Sequence, residues 1–230
     1  QISDFHNNQS DTLTNDLIKE IEKQKPNIIV LTGDLIDSRK TNVEVAINFI
    51  KKINNVAPIY YVSGNHEARI KSYRKNKEQL AESKVVVLEN KTEVLKINES
   101  SINLIGIDDP KMAHKSFVSD SEIIKVELDN AKYNEDKYSI LLTHRPELFN
   151  TYVEREIDLI LVGHAHGGQI RIPFIGGIVA PNQGFFPKYT SGIFEENKTA
   201  MVVSRGIGNS IFPFRINNRP ELVVITLHNN

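Results

Sequence analysis

Short apolar runs alternate with helical patterns along this chain, and Asp, Asn or His residues stand at the ends of five of the apolar runs. Apolar side chains at helical spacing predict a first helix from about residue 11 to Lys25, with Ser10 or Asp11 as its cap, and Pro26 ends it. The continuous apolar run of residues 27–32 predicts a buried strand, and residues 43–53 and 58–62 repeat the helix and the strand. This alternation is typical of an α/β protein.

The rest of the chain extends the same pattern. Residues 71–82 predict a charged helix, and three neighbouring strands follow at 85–88, 93–97 and 102–107, with Asn98-Glu99-Ser100-Ser101 as a hairpin turn. A helix near 119–131 precedes strands at 138–143 and 157–162, and the tail predicts strands at 169–172, 200–204 and 222–227. We therefore expect one domain over residues 1–230, a four-layer sandwich of two mixed β-sheets flanked by helices.

Composition narrows the class of protein. With 40% hydrophobic and 25% charged residues, the chain is typical of soluble globular proteins, and its net charge of -1 makes nucleic acid an unlikely partner. The absence of Cys excludes disulfides and thiolate zinc sites, and no run approaches the roughly 18 apolar residues that span a bilayer. Gln1-Ile2-Ser3 resembles the end of a strand, so we expect an upstream segment that could attach the domain to a membrane or wall; otherwise we expect a cytoplasmic protein.

Five of the seven histidines are concentrated in segments that follow apolar runs, and only His114 and His228, which we interpret as surface residues, lie elsewhere. The carboxyl ends of strands in an α/β sheet meet at one edge, where such proteins bind ligands. We therefore expect these side chains to converge, although they are far apart in the sequence. The segments are Ser3-Asp4-Phe5-His6, Gly33-Asp34, Gly64-Asn65-His66-Glu67, His144 and Gly163-His164-Ala165-His166.

Carboxylate, amide and imidazole ligands together suit a pair of divalent ions about 3.5–4 Å apart. Asp34 follows a glycine and is the candidate for bridging both ions. Asp4 and His6 are two residues apart and would point to one face of a strand, and His164 and His166 have the same spacing. Taken singly, an Asp-x-His or a Gly-Asp is also ordinary surface or turn chemistry, but all five segments in this order favour a metal centre.

The ordered set Asp-x-His, Gly-Asp, Gly-Asn-His-Glu, His and Gly-His-x-His, over residues 4–166, resembles the calcineurin-like metallophosphoesterase superfamily. The extended segment 163–173, with segments 205–210 and 215–222, resembles a bacterial branch of membrane- or wall-associated phosphoesterases. The resemblance implies that a metal-bridging hydroxide attacks a phosphate ester, with His66 contacting the phosphate and assisting the leaving oxygen. It further implies one ion on Asp4, His6 and His166, a second on Asn65, His144 and His164, and Asp34 between them.

Two further residues have alternative interpretations. Asp37 could orient a ligand imidazole, or it could be a turn or helix-capping aspartate. Arg145 directly follows a ligand and could bind the phosphate, or it could be a solvated arginine before Pro146.

Two segments bear on the substrate. The basic run from Arg69 to Lys77 could attract an anionic headgroup or lie on an anionic membrane, although such runs are more often solvated helix faces. The apolar segments 173–179 and 185–187 could form a wall for a lipid-like substrate, or they could cover a sheet edge.

We therefore expect a dinuclear phosphoesterase that uses Mn²⁺, Fe or Zn²⁺ and acts on a phosphate ester, preferably a diester or a phospholipid-like group. The alternatives are a nuclease on the same metal centre, which would need a basic groove, and a non-catalytic protein-binding domain. The intact ligand set and His66 disfavour the second alternative, and no protein partner is inferred.

Overall fold

The structure, a computed structural model, describes residues 1–97, 100–209 and 214–228. Its α-helices are α1 (Asp11–Gln24), α2 (Val43–Ile53), α3 (Tyr73–Glu82), α4 (Asp120–Asn130) and α5 (Phe149–Val153). Its strands are β1 (Ile29–Thr32), β2 (Ile59–Val62), β3 (Val85–Val87), β4 (Lys91–Ile97), β5 (Ser100–Gly106), β6 (Ser139–Leu142), β7 (Leu159–Val162), β8 (Arg171–Ile172), β9 (Gly176–Gly177), β10 (Val179–Ala180), β11 (Gly184–Phe185), β12 (Gly192–Glu196) and β13 (Thr199–Val203).

Two main sheets form the centre of the fold. Strands β1, β2 and β3 make a parallel sheet, and Ile2 of the N-terminal segment adds a parallel bridge to Leu31. The larger sheet has the order β12-β13-β7-β6-β5-β4, and it is mixed because its inner pairs are parallel and its outer pairs antiparallel. Two further pairs, β8–β9 and β10–β11, are antiparallel hairpins.

Three apolar clusters show how the layers stack. One lies between the parallel sheet and α1, α2 and α3, and another lies between the six-stranded sheet and α4 and α5. The third contains Val30 and Val62 from the first sheet with Leu142 and Leu161 from the second, so it fills the space between the sheets. Successive strand residues point to opposite faces, which places Leu31 against the helices and Val30 between the sheets. The predicted four-layer α/β sandwich is confirmed, although only the six-stranded sheet is mixed and the three described strands of the other sheet are parallel.

Local sequence signals account for the helix boundaries. Ser10 caps α1 by accepting a hydrogen bond from the Leu13 backbone N–H, and Ser119 and Glu122 form a reciprocal capping box at the start of α4. Each cap satisfies backbone donors that the first turn of a helix leaves unpaired.

The tail differs from the sequence prediction. Residues 222–227 form no strand in the described part of the chain; instead Val223 exchanges two backbone hydrogen bonds with Gln1, at 2.7 and 3.1 Å, which is too little pairing for a ladder. In the predicted turn, Ser100 and Ser101 belong to β5, whereas residues 98 and 99 lie outside the described residues. Strand β12 was not predicted.

Candidate metal centre

Four of the five segments directly follow strands, at the carboxyl ends of strands in both sheets. Asp34 follows β1, Asn65 and His66 follow β2, His144 follows β6, and His164 follows β7. The N-terminal segment joins them because the Asp4 and His6 backbone N–H groups donate to Gly33 O and Asp34 O, each at 3.0 Å. The topology therefore brings all the sequence-predicted ligand loops together.

One group of side chains consists of Asp4, His6, Asp34 and His166, and each offers an atom within 4.8 Å of the others. His166 Nε2 lies 3.2 Å from Asp4 Oδ1 and 3.2 Å from His6 Nε2. His6 Nε2 lies 3.6 Å from Asp34 Oδ2. All four side chains are buried, so the cluster places carboxylates and imidazoles around one point without competing solvent.

A second group consists of Asp34, His144 and His164. His144 Nε2 lies 3.3 Å from Asp34 Oδ2 and 3.2 Å from His164 Nδ1. The other ring nitrogen of His144 is 2.7 Å from Thr32 O, and that hydrogen bond fixes the ring with Nε2 toward Asp34. Asp34 belongs to both groups, which is the position that a bridging carboxylate requires.

Unpaired oxygen atoms in the centre fit the binding of cations. Within the described residues, Asp4 Oδ1 and Asn65 Oδ1 are buried and accept no hydrogen bond. A buried polar atom without a partner is costly, and a metal ion would satisfy both oxygens. Asn65 lies beside Asp34, His164 and His166 in the lining of a pocket of about 110 Å³.

The protonation of the imidazoles also suits metal binding. Burial lowers the pKa of His6 and of His166 to about 3, and burial and His144 hold the pKa of His164 well below its ordinary value. These three rings are therefore neutral at neutral pH, which is the form that binds metals. Burial disfavours the charged forms of both Asp34 and His144. Their mutual attraction is stronger, so it holds the pKa of Asp34 well below its ordinary value and raises the pKa of His144 to about 10. This pair must exchange a proton for a cation when a metal binds.

His66 is buried in the pocket lining, and its Nδ1 lies beside Ser38 and Asp37. The Ser38 backbone N–H donates to His66 Nδ1 at 3.2 Å, and Asp37 Oδ1 lies 3.3 Å from the same nitrogen. A backbone N–H can only donate, so Nδ1 accepts and the proton of the neutral ring is on Nε2. Asp37 also accepts hydrogen bonds from the backbone N–H of Arg39, at 2.8 Å, and from the Arg39 side chain. The contact with the backbone two residues later is the one expected of a turn aspartate.

Glu67 had no role assigned from the sequence, yet it joins two of the ligand loops. Its carboxylate accepts backbone hydrogen bonds from Gly64 at 2.7 Å, Asp34 at 2.9 Å and Ile36 at 2.8 Å. Its place in Gly-Asn-His-Glu, directly after two candidate site residues, was the signal that could have identified it.

Asn182 and Glu147 were also missed. Asn182 Nδ2 lies 3.3 Å from His164 Nε2 and donates to Glu147 Oε1 at 2.8 Å, and Glu147 Oε1 is 3.8 Å from the same ring nitrogen. They support the side of His164 that faces away from His144. Neither residue stands in a pattern that marks it, because Glu147 reaches the site from a short 3-10 helix, Pro146–Leu148, and Asn182 from the turn between β10 and β11.

Arg145 is buried rather than solvated. Its Nε and Nη2 bind Asp109 at 2.6 and 2.9 Å, and its Nη1 is 3.1 Å from Asp120 and 3.5 Å from Glu147. The guanidinium lines the pocket, but carboxylates occupy its donors.

Of the basic run, Arg69 lines the pocket, whereas Arg74 pairs with Glu78 and Lys77 with Glu89 on the surface. His114 and His228 are exposed, as expected.

Comparison with known proteins gives the family. The model of the calcineurin-like phosphoesterase family matches residues 1–168. This chain belongs to that family. The metallophosphoesterase YkuE of Bacillus subtilis is 30% identical over 99% of this chain and 77% of its own length, and the phosphodiesterase YaeI of Escherichia coli is 26% identical over 94% of this chain and 76% of its own.

Solved structures support the fold. TT1561 of Thermus thermophilus has a TM-score of 0.59 at 13% identity, over 89% of this chain and 87% of its own. A dimetal phosphatase from Danio rerio has a TM-score of 0.53 at 11% identity, over 89% of this chain and 86% of its own. The chain is a metal-dependent phosphoric ester hydrolase, its family uses a dimetal centre, and the Asp and His clusters supply candidate ligands. Among the described residues, no helix has the length and apolar character needed to cross a membrane.

Proposed function

We propose that residues 1–230 form a single catalytic domain that hydrolyses a phosphodiester with the help of two divalent ions. The observation that carries this proposal is the position of Asp34, which is shared by the group of Asp4, His6 and His166 and the group of His144 and His164. Asp4, His6 and His166 would hold one ion, Asn65, His144 and His164 the other, and Asp34 both. Imidazole and carboxylate ligands suit Mn²⁺, Fe or Zn²⁺.

When bound, two such ions lower the pKa of water and neutralise charge on the phosphoryl oxygens. His66 would stabilise the leaving oxygen by donating a hydrogen bond to it from Nε2–H, since the Ser38 backbone N–H occupies its Nδ1. Asp37 Oδ1, 3.3 Å from Nδ1, would help to hold the ring in this orientation. The burial of the ligands and of His66 keeps bulk water away from these groups, which strengthens their electrostatic contribution.

The mouth of the pocket supports a substrate with a second substituent on the phosphate. Arg69 lines it, is exposed and makes no ion pair within the described residues, so it is free to bind an anionic oxygen. Pro181 and Asn182 line the same pocket from the segment between β10 and β11, and exposed Phe side chains follow that segment directly. A phosphodiester with an apolar, lipid-like substituent fits between these two walls, and the E. coli relative is itself named a phosphodiesterase.

The test is hydrolysis of bis(p-nitrophenyl) phosphate and of p-nitrophenyl phosphate by metal-stripped protein titrated with Mn²⁺. We expect Mn²⁺-dependent turnover with the diester preferred, and two ions bound per chain. Asp34→Asn keeps the size of the side chain but removes the second carboxylate oxygen, so it should reduce both turnover and the number of bound ions. Asp16→Asn, at an exposed position of α1, is the matched control and should leave both unchanged.

Turnover by Asp34→Asn at the wild-type rate would contradict the bridging role. Protein that binds two ions and hydrolyses neither ester with any of the three metals would contradict the proposed reaction. Preference for the monoester would overturn only the substrate class.

A further inference from the structure

Two short hairpins beside the metal centre expose a group of large apolar side chains. Hairpins β8–β9 and β10–β11 follow each other with Ile178 alone between them, and residue 216 makes a backbone bridge to residue 170, just before β8. We name the exposed apolar residues of this region the apolar rim: Ile172, Phe174, Ile175, Phe185, Phe186 and Ile216. Phe174 is 110% exposed and Phe185 77%, so these rings contact almost nothing in the chain. Adjacent exposed apolar side chains of this kind mark an interaction surface.

Two bulky residues of the rim have a strained backbone. Phe174 has φ 68° and Phe186 φ 53°, which is the left-handed region where Gly or Asn is normally found. A bulky side chain there costs on the order of 1–3 kcal/mol. Two Phe residues at strained turn positions, both turned out to solvent, are explained by a partner that binds their rings and not by packing within the chain.

The charges around the rim favour an anionic partner. The chain contains 29 Asp and Glu residues, yet none lies between residues 159 and 194. In the same interval Arg171 is partly exposed, and Lys188 is exposed beside the Tyr189 ring. Exposed aromatic and aliphatic side chains in a segment that contains basic and no acidic residues are the combination that binds the interface of an anionic bilayer.

We propose that the apolar rim inserts into the headgroup region of an anionic phospholipid bilayer and docks the domain there. A protein partner would need a surface of roughly 800 Å² on each side, whereas two hairpin tips with separate exposed rings suit shallow insertion among lipids. This docking is a binding activity that goes beyond the proposed hydrolysis. It also places the pocket at the lipid headgroups, because Asn182, between β10 and β11, reaches His164.

The first test is co-sedimentation of the whole chain with vesicles of phosphatidylcholine, with and without phosphatidylglycerol. We expect binding to the vesicles that contain phosphatidylglycerol. Phe174→Ser/Ile175→Ser should weaken it at least about tenfold, since burial of one Phe or Ile side chain contributes that much. The control Val94→Ser/Val126→Ser removes two exposed apolar side chains on β4 and α4 and should bind as the wild type does.

Charge is tested separately. Lys188→Glu should weaken binding to the anionic vesicles, whereas Lys198→Glu, in the turn between β12 and β13, should not. The chain contains no Trp, so Phe174→Trp introduces a single reporter at the rim, and its emission should shift to the blue when these vesicles are added.

Several results would overturn the docking proposal, and none of them depends on turnover. They are a wild-type chain that binds neither kind of vesicle, hairpin variants that bind as well as the control, and a Phe174→Trp variant whose indole emission is unchanged by lipid. A Phe174→Ser/Ile175→Ser variant that turns a dimer into a monomer without altering vesicle binding would assign the rim to a second copy of the chain instead.

Discussion

Replacement of Gly64 by Ala tests whether close backbone approach builds the metal centre. A Cβ at Gly64 would lie 2.3 Å from Asp34 Oδ1 and 2.5 Å from Asp34 N. The second contact is with a backbone atom. Because Glu67 accepts hydrogen bonds from the backbone N–H groups of Asp34 and Gly64, the Asp34 backbone cannot rotate away. Asp34 must therefore move by about 1 Å to reach an ordinary van der Waals distance.

The size of the effect follows from that displacement. Overpacking of a buried position reduces the free energy of unfolding by about 1–3 kcal/mol. A catalytic group misplaced by about 1 Å can reduce the rate about 10²-fold. We therefore expect Gly64→Ala to reduce kcat/KM for the diester about 100-fold and to weaken Mn²⁺ binding, because the displaced carboxylate would serve both ions of the proposed centre.

Gly192→Ala separates this effect from general destabilisation. Gly192 has φ +92° and no atom within 4 Å of an added Cβ, so Ala there strains the backbone by about 1–3 kcal/mol without touching the metal centre. Thermal unfolding and Mn²⁺ titration of both variants should show similar losses of stability but a loss of metal affinity only in Gly64→Ala. Wild-type metal affinity in Gly64→Ala, or an equal loss in both variants, would refute the argument.

Other variants test neighbouring parts of the site. Burial raises the pKa of Asp108 to about 6, although the hydrogen bonds from Ser63 act to lower it. Above pH 6 the ionised carboxylate therefore reduces the free energy of unfolding, and this penalty disappears as the pH falls toward 4. Asp108→Asn should therefore stabilise the chain at pH 8, by on the order of 3 kcal/mol, and no longer at pH 4, as denaturant unfolding at both pH values would show. Glu147→Gln should weaken Mn²⁺ binding about 10–100-fold in calorimetry by loosening His164, whereas Glu154→Gln, on the surface, should not; equal affinities would contradict this. His66→Asn should reduce kcat about 10²–10⁴-fold while both ions remain bound, and loss of an ion would instead make His66 a ligand.

The layers of the fold could be predicted because the main strands are buried on both faces. All four residues of β1 are buried, with Leu31 against the helices and Val30 between the sheets, and a continuous apolar run predicts that situation. Strand β12 could not be predicted, because it is an edge strand that is mostly exposed and has no apolar alternation. Residues 222–227 show the converse error. Their apolar residues cover the sheets without joining a ladder, and composition alone does not distinguish these two arrangements.

The same contrast applies to the candidate site. Its metal-binding residue types follow strands, and the carboxyl ends of strands converge. This rule alone predicts that Asp34, His144 and His164 lie close together, and the structure shows that they do. The supporting residues follow no such rule. Glu147 reaches His164 from a short 3-10 helix and Asn182 from a turn, and only the folded chain shows that they meet.

Strain in the ligand loops explains why this support is needed. Five of the candidate ligands have positive φ, namely Asp4, His6, Asp34, His164 and His166. Each such residue costs roughly 1–2 kcal/mol, and the loops would relax if nothing held them. Backbone hydrogen bonds between the loops, the Glu67 carboxylate and the Thr32–His144 contact hold them instead, and the three apolar clusters anchor the strands that carry them. The free energy of folding thus maintains an arrangement of candidate ligands that the backbone alone disfavours, so the protein itself organises the centre before any ion binds.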